Sequence, residues 1–446
     1  MTQWSPIFSP SDKLAIAASE AIDAITQSVI ARDYESGREQ TFPDRTYEPA
    51  LLYGYLARAQ NDLAWAVRAT ESLNQAIDKA AGQQSGYLGL YGGLAGLGWT
   101  VEHISHLLNQ LSFPAEEDQT NGSVSEDETM VGESEADEDL IGEIDAVLLR
   151  GLDKFDSDCA YDLISGLVGF GVYFMERLPR ESAVKGIEAV FNNLEKVAQH
   201  TSAGIAWHSG PELLPEWQRE QCPNGYYNLG VAHGIPGIIH LLSEISVTSI
   251  VDQQRSRALL EGSVRWLISQ QRPSGSRSTF SSWIVAGEES TDSRLAWCYG
   301  DMGILSVLLQ VARRAGREDW HKFANQILDH CLAWPPDESG VKDAPLCHGA
   351  AGVAHIFNRL YHDQNDPRCL HAAVAWFERA LAMRRPDSGV GGFSSLTRPV
   401  PSEPIVWEAS PAFLDGAIGV ALALLAATSA VEPGWDRMLL LSGRSG

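Results

Sequence analysis

Cys298, Cys347 and His348 are the residues whose types most directly suggest chemistry. Zinc prefers cysteine sulfur and histidine nitrogen in tetrahedral geometry, and catalytic sites keep three protein ligands and one open position. No C-x-x-C links these residues, so spacing alone says little; their place in a repeat says more. Cys298 and Cys347 each stand two residues before a glycine that opens a G-x-x-G, and His233, Tyr299, His348 and Asp415 each stand one before such a glycine. Two thiolates neutralise the charge of Zn²⁺. A substrate thiol in the open position would then be deprotonated at neutral pH yet still nucleophilic. Hydrolytic sites that activate water use less electron-rich ligand sets more often. The ligand set therefore favours activation of a thiol, and His233 or Asp415 as a fourth ligand would instead close the site as a structural one.

His233 and Asp162 are the next candidates: Asp162, four residues before Gly166 at a loop-to-helix junction, is suited to fix the tautomer and orientation of a neighbouring imidazole. An acid poised near neutral pH is what a reaction ending in carbon protonation needs. Arg294, four residues before Cys298, is suited to stabilise a developing enolate oxygen. The plainer alternatives are a helix N-cap for Asp162 and a surface cation for Arg294. His355, His362 and His371 read as solvent-facing or hydrogen-bonded residues on helix faces. Cys159, Cys222, Cys331 and Cys369 fall outside the register and read as buried fillers. Trp207, Trp283, Trp297 and Trp407 fall in or beside loops, where they would suit the lining of a peptide groove.

The elements that must position these residues recur. G-x-x-G followed by an apolar run begins at Gly93, Gly166, Gly234, Gly300, Gly349 and Gly416, at intervals of 73, 68, 66, 49 and 67 residues. Each copy leads into a helical pattern apolar on most faces, such as Ile304, Leu305, Leu308 and Leu309, which suits burial on both sides. More polar, amphipathic helices are predicted between them at 183–199, 256–270, 321–332 and 368–383. Six such hairpins closing on themselves predict an all-α fold, an α/α toroid occupying 1–446 as one domain. The segments 14–30 and 49–77 read as helical and would supply the first outer helix. Glycine at the loop-to-helix junctions would allow unusual backbone angles and close approach of helices.

The net charge of −25 argues against a nucleic-acid partner and against attraction to an anionic membrane. Of the 58 acidic residues, 13 fall within 114–145, a stretch without Lys or Arg that reads as a flexible, solvated insert. The first ten residues have neither the basic nor the apolar part of a signal peptide, which predicts a cytoplasmic chain with reduced thiols. No uninterrupted apolar run approaches the length of a membrane span.

Taken together, D-L-I-S-G at 162–166, A-H-G-I-P-G at 232–237, W-C-Y-G at 297–300 and C-H-G at 347–349 resemble the lanthionine synthetase C (LanC) family of cyclases. The resemblance covers roughly 50–430. It implies a zinc enzyme on an α/α toroid, with one Zn²⁺ held by Cys298, Cys347 and His348. It implies His233 as the acid/base, Asp162 beside it, and Arg294 and Tyr299 as further active-site residues. The implied reaction adds the Cys thiolates of a dehydrated lantibiotic precursor peptide to dehydroalanine or dehydrobutyrine, forming lanthionine or methyllanthionine rings. A separate dehydratase and an exporter at the inner face of the membrane are the partners it implies. Three alternatives stay open: a LanC-like enzyme that adds glutathione to dehydroamino acids, a prenyltransferase-like thiol transfer, and a peptide-binding toroid with a structural zinc. The prenyltransferase reading lacks the basic cluster that a diphosphate requires.

Overall fold

The computed structural model describes residues 3–35, 45–81, 86–111, 135–156, 159–397 and 404–443. In chain order the helices are α1 (Lys13–Glu35), α2 (Glu48–Gln60), α3 (Leu63–Ala81), α4 (Leu94–Leu108), α5 (Glu135–Asp153), α6 (Leu167–Glu176), α7 (Glu181–Val197) and the short α8 (Glu216–Gln221). They continue as α9 (Ile235–Ile245), α10 (Gln253–Ser269), α11 (Asp301–Ala315), α12 (Glu318–Ala333), α13 (Ala350–Gln364), α14 (Pro367–Ala382) and α15 (Ala417–Thr428). Helices α2, α4, α6, α9, α11, α13 and α15 touch one another in that order, and α15 returns to α2. This closed inner ring is buried on nearly every face, as the apolar patterns required.

Helices α3, α5, α7, α10, α12 and α14 form the outer layer with α1, which packs on α15 and α14. They bury one stripe each: in α7 the stripe is Ala183, Ile187, Val190, Phe191 and Leu194, at helical spacing. The predicted outer helices are present, with ends shifted by a few residues. Helix α1 is long and apolar enough over Lys13–Arg32 to cross a membrane by length and composition. Here Ala18, Ala21, Ile22, Ile25 and Val29 face the core, and the N-terminal end is fastened by Trp4 Nε1 donating to Ala426 O at 2.9 Å.

The structure departs from the sequence expectations in three places. The segment 49–77 is two helices, because Asn61 adopts a left-handed conformation (φ 51°) that stops α2. Helix α2 is a seventh inner helix, without the glycine motif, so the ring is one hairpin larger than the motif count among the described residues. The acidic insert is not wholly unfolded: from Glu135 it belongs to α5, where Ile141, Ile144, Leu148 and Leu152 sit at helical spacing and are buried. Residues 114–134, the rest of that expectation, lie outside the described residues. Glycine is required chiefly for close approach, since five of the six first glycines have extended or other negative φ and only Gly300 is positive, at 119°. At the second glycine of each pair, an added Cβ would lie 1.9 to 2.7 Å from a backbone carbonyl oxygen six residues earlier.

Among the described residues, three two-stranded antiparallel ribbons decorate the helix connections: β1 (Gln199–Thr201) with β2 (Gly204–Ala206), β3 (Tyr227–Asn228) with β4 (Trp283–Ile284), and β5 (Ser395–Thr397) with β6 (Val406–Glu408). Inside the ring runs the C-terminal segment, with a 3-10 turn at Gly434–Leu439. Its Asp436 is fully buried and accepts from His355 Nε2 at 2.9 Å and Arg359 Nη2 at 2.8 Å, while Arg437 Nη2 donates to Glu176 Oε1 at 2.7 Å. His355 is therefore an internal strut, not a surface residue.

A second buried ion cluster ties three successive elements together. Arg177, at the end of α6, donates to Glu102 Oε2 of α4 at 2.7 Å and to Asp145 Oδ2 of α5 at 2.9 Å, and all three are buried. Without Arg177, Glu102 keeps Arg180 Nη1 at 2.6 Å, while Asp145 keeps only the hydroxyls of Tyr173 and Ser182, each at 2.6 Å, and loses its cation. Arg177→Met is expected to lower unfolding free energy by about 3 kcal/mol in urea denaturation; an unchanged midpoint would show that these remaining donors suffice.

Candidate metal centre and active site

The six glycine-led loops gather at one mouth of the ring, because each precedes the N-terminus of an inner helix. Several are hydrogen-bonded to the next around the ring: Leu90 N to Ile164 O at 3.0 Å, Leu163 N to Ala232 O at 3.1 Å, Cys298 N to Cys347 O at 3.2 Å, and Cys347 N to Leu414 O at 3.0 Å. The last two bonds bring the chemistry together. They hold the backbone of Cys298 directly on that of Cys347.

The ligand atoms of Cys298, Cys347 and His348 lie within 4.8 Å of one another, although 49 residues separate the two cysteines. His348 Nε2 lies 3.7 Å from Asp343 Oδ2, and its Nδ1 is buried without a hydrogen-bond partner. That orphaned nitrogen and two soft sulfurs fit a zinc-like cation, and Asp343 stands where a carboxylate orients a ligating imidazole. Sequence reasoning missed Asp343, four residues before Cys347; only its burial and contact reveal it. Neither His233 nor Asp415 belongs to the cluster, so it is a three-ligand set with an open side. Asp415 instead lies 4.0 Å from Arg45 across the same cavity.

The two sulfurs are pushed apart in acidity by their contact. Hydrogen bonding by the Cys347 thiol holds Cys298 well below the ordinary thiol range despite burial, helped by His348 and by Arg294, whose Nη2 lies 3.7 Å from the Cys298 sulfur. The same contact, with burial, pushes Cys347 well above that range. A site this receptive to one positive charge is what a divalent cation exploits.

The cluster opens on a cavity of about 560 Å³, walled also by Arg45, Tyr87, Tyr91, His233, Arg294 and Tyr299. His233 Nδ1 donates to Asp162 Oδ2 at 2.5 Å, and the ring remains 43% exposed to the cavity. Asp162 is not the helix N-cap, which is Gly166; its Oδ1 accepts from Ser165 N at 2.7 Å within the loop that precedes α6. Burial disfavours a charged His233, but the bond and charge of Asp162 outweigh it and raise the imidazole above its ordinary pKa. Tyr299 accepts at its hydroxyl from Asn228 Nδ2 at 3.2 Å, and burial pushes its pKa upward, so it stays a neutral phenol. All seven expected site residues thus border one cavity: Asp162 reaches it through His233, and the other six line it.

Of the four loop tryptophans named from the sequence, Trp283 borders a cavity next to this site, which Trp217 lines as well. Trp207 and Trp297 are fully buried, Trp297 because its indole nitrogen donates to Leu439 O at 2.8 Å, and Trp407 is exposed on β6. Cys222, Cys331 and Cys369 are buried, and Cys159 is half-buried with its thiol donating to Asp156 Oδ1 at 3.3 Å. Elemental analysis after Cys347→Ala is expected to show bound zinc lost, whereas His233→Ala keeps about one ion per chain; loss in both would make His233 a ligand and close the site.

The sequence family described as lanthionine synthetase C-like protein matches residues 49–440. The Danio rerio protein named Glutathione S-transferase LANCL1 is 29% identical over 191 residues, which are 41% of this chain and 42% of that protein. The Nisin biosynthesis protein NisC of Lactococcus lactis subsp. lactis is 23% identical over 253 residues, 53% of this chain and 58% of that one. The matches thus span about half the length of these curated relatives. The solved structure of Nisin cyclase superposes with a TM-score of 0.72 at 18% identity, over 93% of this chain and 96% of that one, a likeness of fold. With the family match running from α2 to the C-terminal segment inside the ring, the chain belongs to the lanthionine synthetase C-like family.

Proposed function

We propose that the chain is a zinc-dependent cyclase. It would add the Cys thiols of a dehydrated precursor peptide to dehydroalanine or dehydrobutyrine, giving lanthionine or methyllanthionine. The observation that carries this reading is the juxtaposition of an open Cys298–Cys347–His348 cluster and the His233–Asp162 pair on one cavity. Zinc held there supplies thiol deprotonation at neutral pH while leaving sulfur nucleophilic.

The remaining steps fall to the chain's own side chains. As sulfur bonds to the β-carbon of the dehydroamino acid, its double-bond electrons move onto the α-carbon and carbonyl oxygen. Arg294 and the Tyr299 hydroxyl suit stabilisation of the resulting enolate. His233, charged through Asp162, suits delivery of a proton to the α-carbon. The net result is addition of S–H across a C=C bond, with no oxidant or leaving group.

Addition of glutathione is the second reading, favoured by the name of the Danio rerio relative. A separate dehydratase would supply the substrate, and an exporter would remove the product. A cytoplasmic location, with any membrane association made through those partners, belongs to the same proposal.

With zinc-loaded protein and a dehydrated Cys-containing peptide, His233→Ala is expected to slow thioether formation by about 100-fold or more while zinc is retained. Mass spectrometry after thiol alkylation reads the ring; a product heavier by glutathione would favour the second reading. The active acid is protonated His233, so the rate should fall as pH rises through its raised pKa. Asp162→Asn removes the cause of that elevation and is expected to move this alkaline limb to lower pH. An unmoved limb would assign it to another group.

A further inference from the structure

The connections α7–α9 and α10–α11 are much longer than joining neighbouring helices needs, running over 198–234 and 270–300. Loops of that length inside a compact fold usually serve function. Here they pair through β3 and β4, and a bridge between Ser209 and Tyr226 folds the first connection on itself. Leu214, Cys222 and Tyr226 form a small apolar core of their own, separate from that of the toroid, with Trp283 packed on it. The Tyr226 and Trp283 rings stack at 5.8 Å, Tyr226 donates to Gln218 Oε1 at 3.1 Å, and Tyr161 shares a hydrogen bond with Ser209 at 2.7 Å. These contacts build a rigid second wall.

That wall encloses a second chamber of about 790 Å³. It shares His233, Arg294 and Tyr299 with the metal chamber, so the two volumes meet across those three side chains. Each charged group on its lining has a partner. Asp162 holds His233, Asp292 pairs with Arg272, and Arg294 faces the Cys298 sulfur. The surface left for a ligand is aliphatic carbon from Leu213 and Pro215, the rings of Trp217 and Trp283, and neutral hydroxyls such as Ser282. A mostly apolar cavity of this size with a few polar groups suits a small organic ligand or two to three residues of peptide.

We propose that this second chamber is the acceptor subsite, which takes the uncharged, apolar residues flanking the dehydroamino acid while the donor thiol occupies the metal chamber. The inference rests on the thioether reading above and adds a substrate class to it. The two reactants would enter from opposite sides of the wall and meet beside His233, where the proton is needed. The one arginine on its lining, Arg294, sits at the boundary with the metal chamber, where the enolate forms, which places the carboxylates of glutathione on the donor side. An acceptor flanked by acidic residues would lose hydration with no cation deeper in the chamber to offset it.

Isothermal titration of the zinc-loaded full chain with acetyl-Leu-dehydroalanine-Leu-amide, and with its Asp-flanked counterpart, tests this. The leucine peptide is expected to bind at least about tenfold more tightly, the scale on which apolar pockets discriminate. Ser282→Trp, which fills the chamber, is expected to abolish that preference while zinc content, the readout of a folded metal site, persists. Trp217→Ala, which strips one wall, should weaken leucine-peptide binding in the same direction and serves where Ser282→Trp fails to fold. Equal binding of both peptides, or unchanged preference in a folded Ser282→Trp chain, overturns the subsite. If wild type prefers the leucine peptide yet adds no thiol to either acceptor, the cyclase reading falls and the subsite stands.

Discussion

The structure depends on a steric contact repeated six times, the packing of a loop carbonyl against a glycine in the first turn of an inner helix. At Gly303 a side chain would come within 2.2 Å of Trp297 O, and at Gly352 within 1.9 Å of Leu346 O. No rotamer relieves a clash between Cβ and backbone. Because both glycines of a pair are bare, the loop curls tightly over its helix and its preceding residues project into the mouth of the ring. Neighbouring loops then come close enough to exchange backbone hydrogen bonds, which satisfies polar groups that would otherwise be buried unpaired. The metal cluster is a by-product of this geometry: two loops so joined can each offer a side chain to one point.

The electrostatics of the site follow from burying that point. Two buried thiols against one another cannot both ionise cheaply, so their contact, with an arginine beside Cys298, lowers the pKa of one sulfur and raises that of the other. The adjacent His348 avoids the reach problem of consecutive ligands because it lies in a loop and not in a regular helix. Asp343 at its far nitrogen limits how the ring can turn. On the opposite wall, Asp162 does the same for His233, and the two carboxylate–imidazole pairs flank the cavity with different tasks.

Bracing comes from inside the ring. The C-terminal segment accepts hydrogen bonds from Tyr91 at Met438 O (2.7 Å), Trp297 at Leu439 O (2.8 Å) and Gln310 at Leu440 O (2.9 Å). Tyr91 lines the metal chamber and Trp297 precedes Cys298, so the segment steadies the floor of the site while Asp436 and Arg437 anchor it to the helices. It fills space that seven helices of this spacing would leave empty, and the ion pairs it makes are costly to break one partner at a time.

The helices, their burial on all faces or one stripe, and the common register of Cys298, Cys347, His348 and His233 were legible in the amino-acid order, because hydrophobic period and glycine spacing are local properties. The family motifs lie in those same stretches and were legible for the same reason. Helix α2 escaped the motif count because it enters the ring through Tyr47, Glu48 and Pro49 without a glycine pair, and the break at Asn61 is a single backbone angle. The insert misled because charge composition outweighed four apolar residues at helical spacing in α5. Asp343, the buried His355 and the second chamber needed tertiary structure, since each is made by residues far apart in sequence. Local order thus determined which side chains face the mouth of the ring; only closure of the ring decided which meet there, because it is the loop-to-loop hydrogen bonds that convert equal positions in a repeat into one shared point in space.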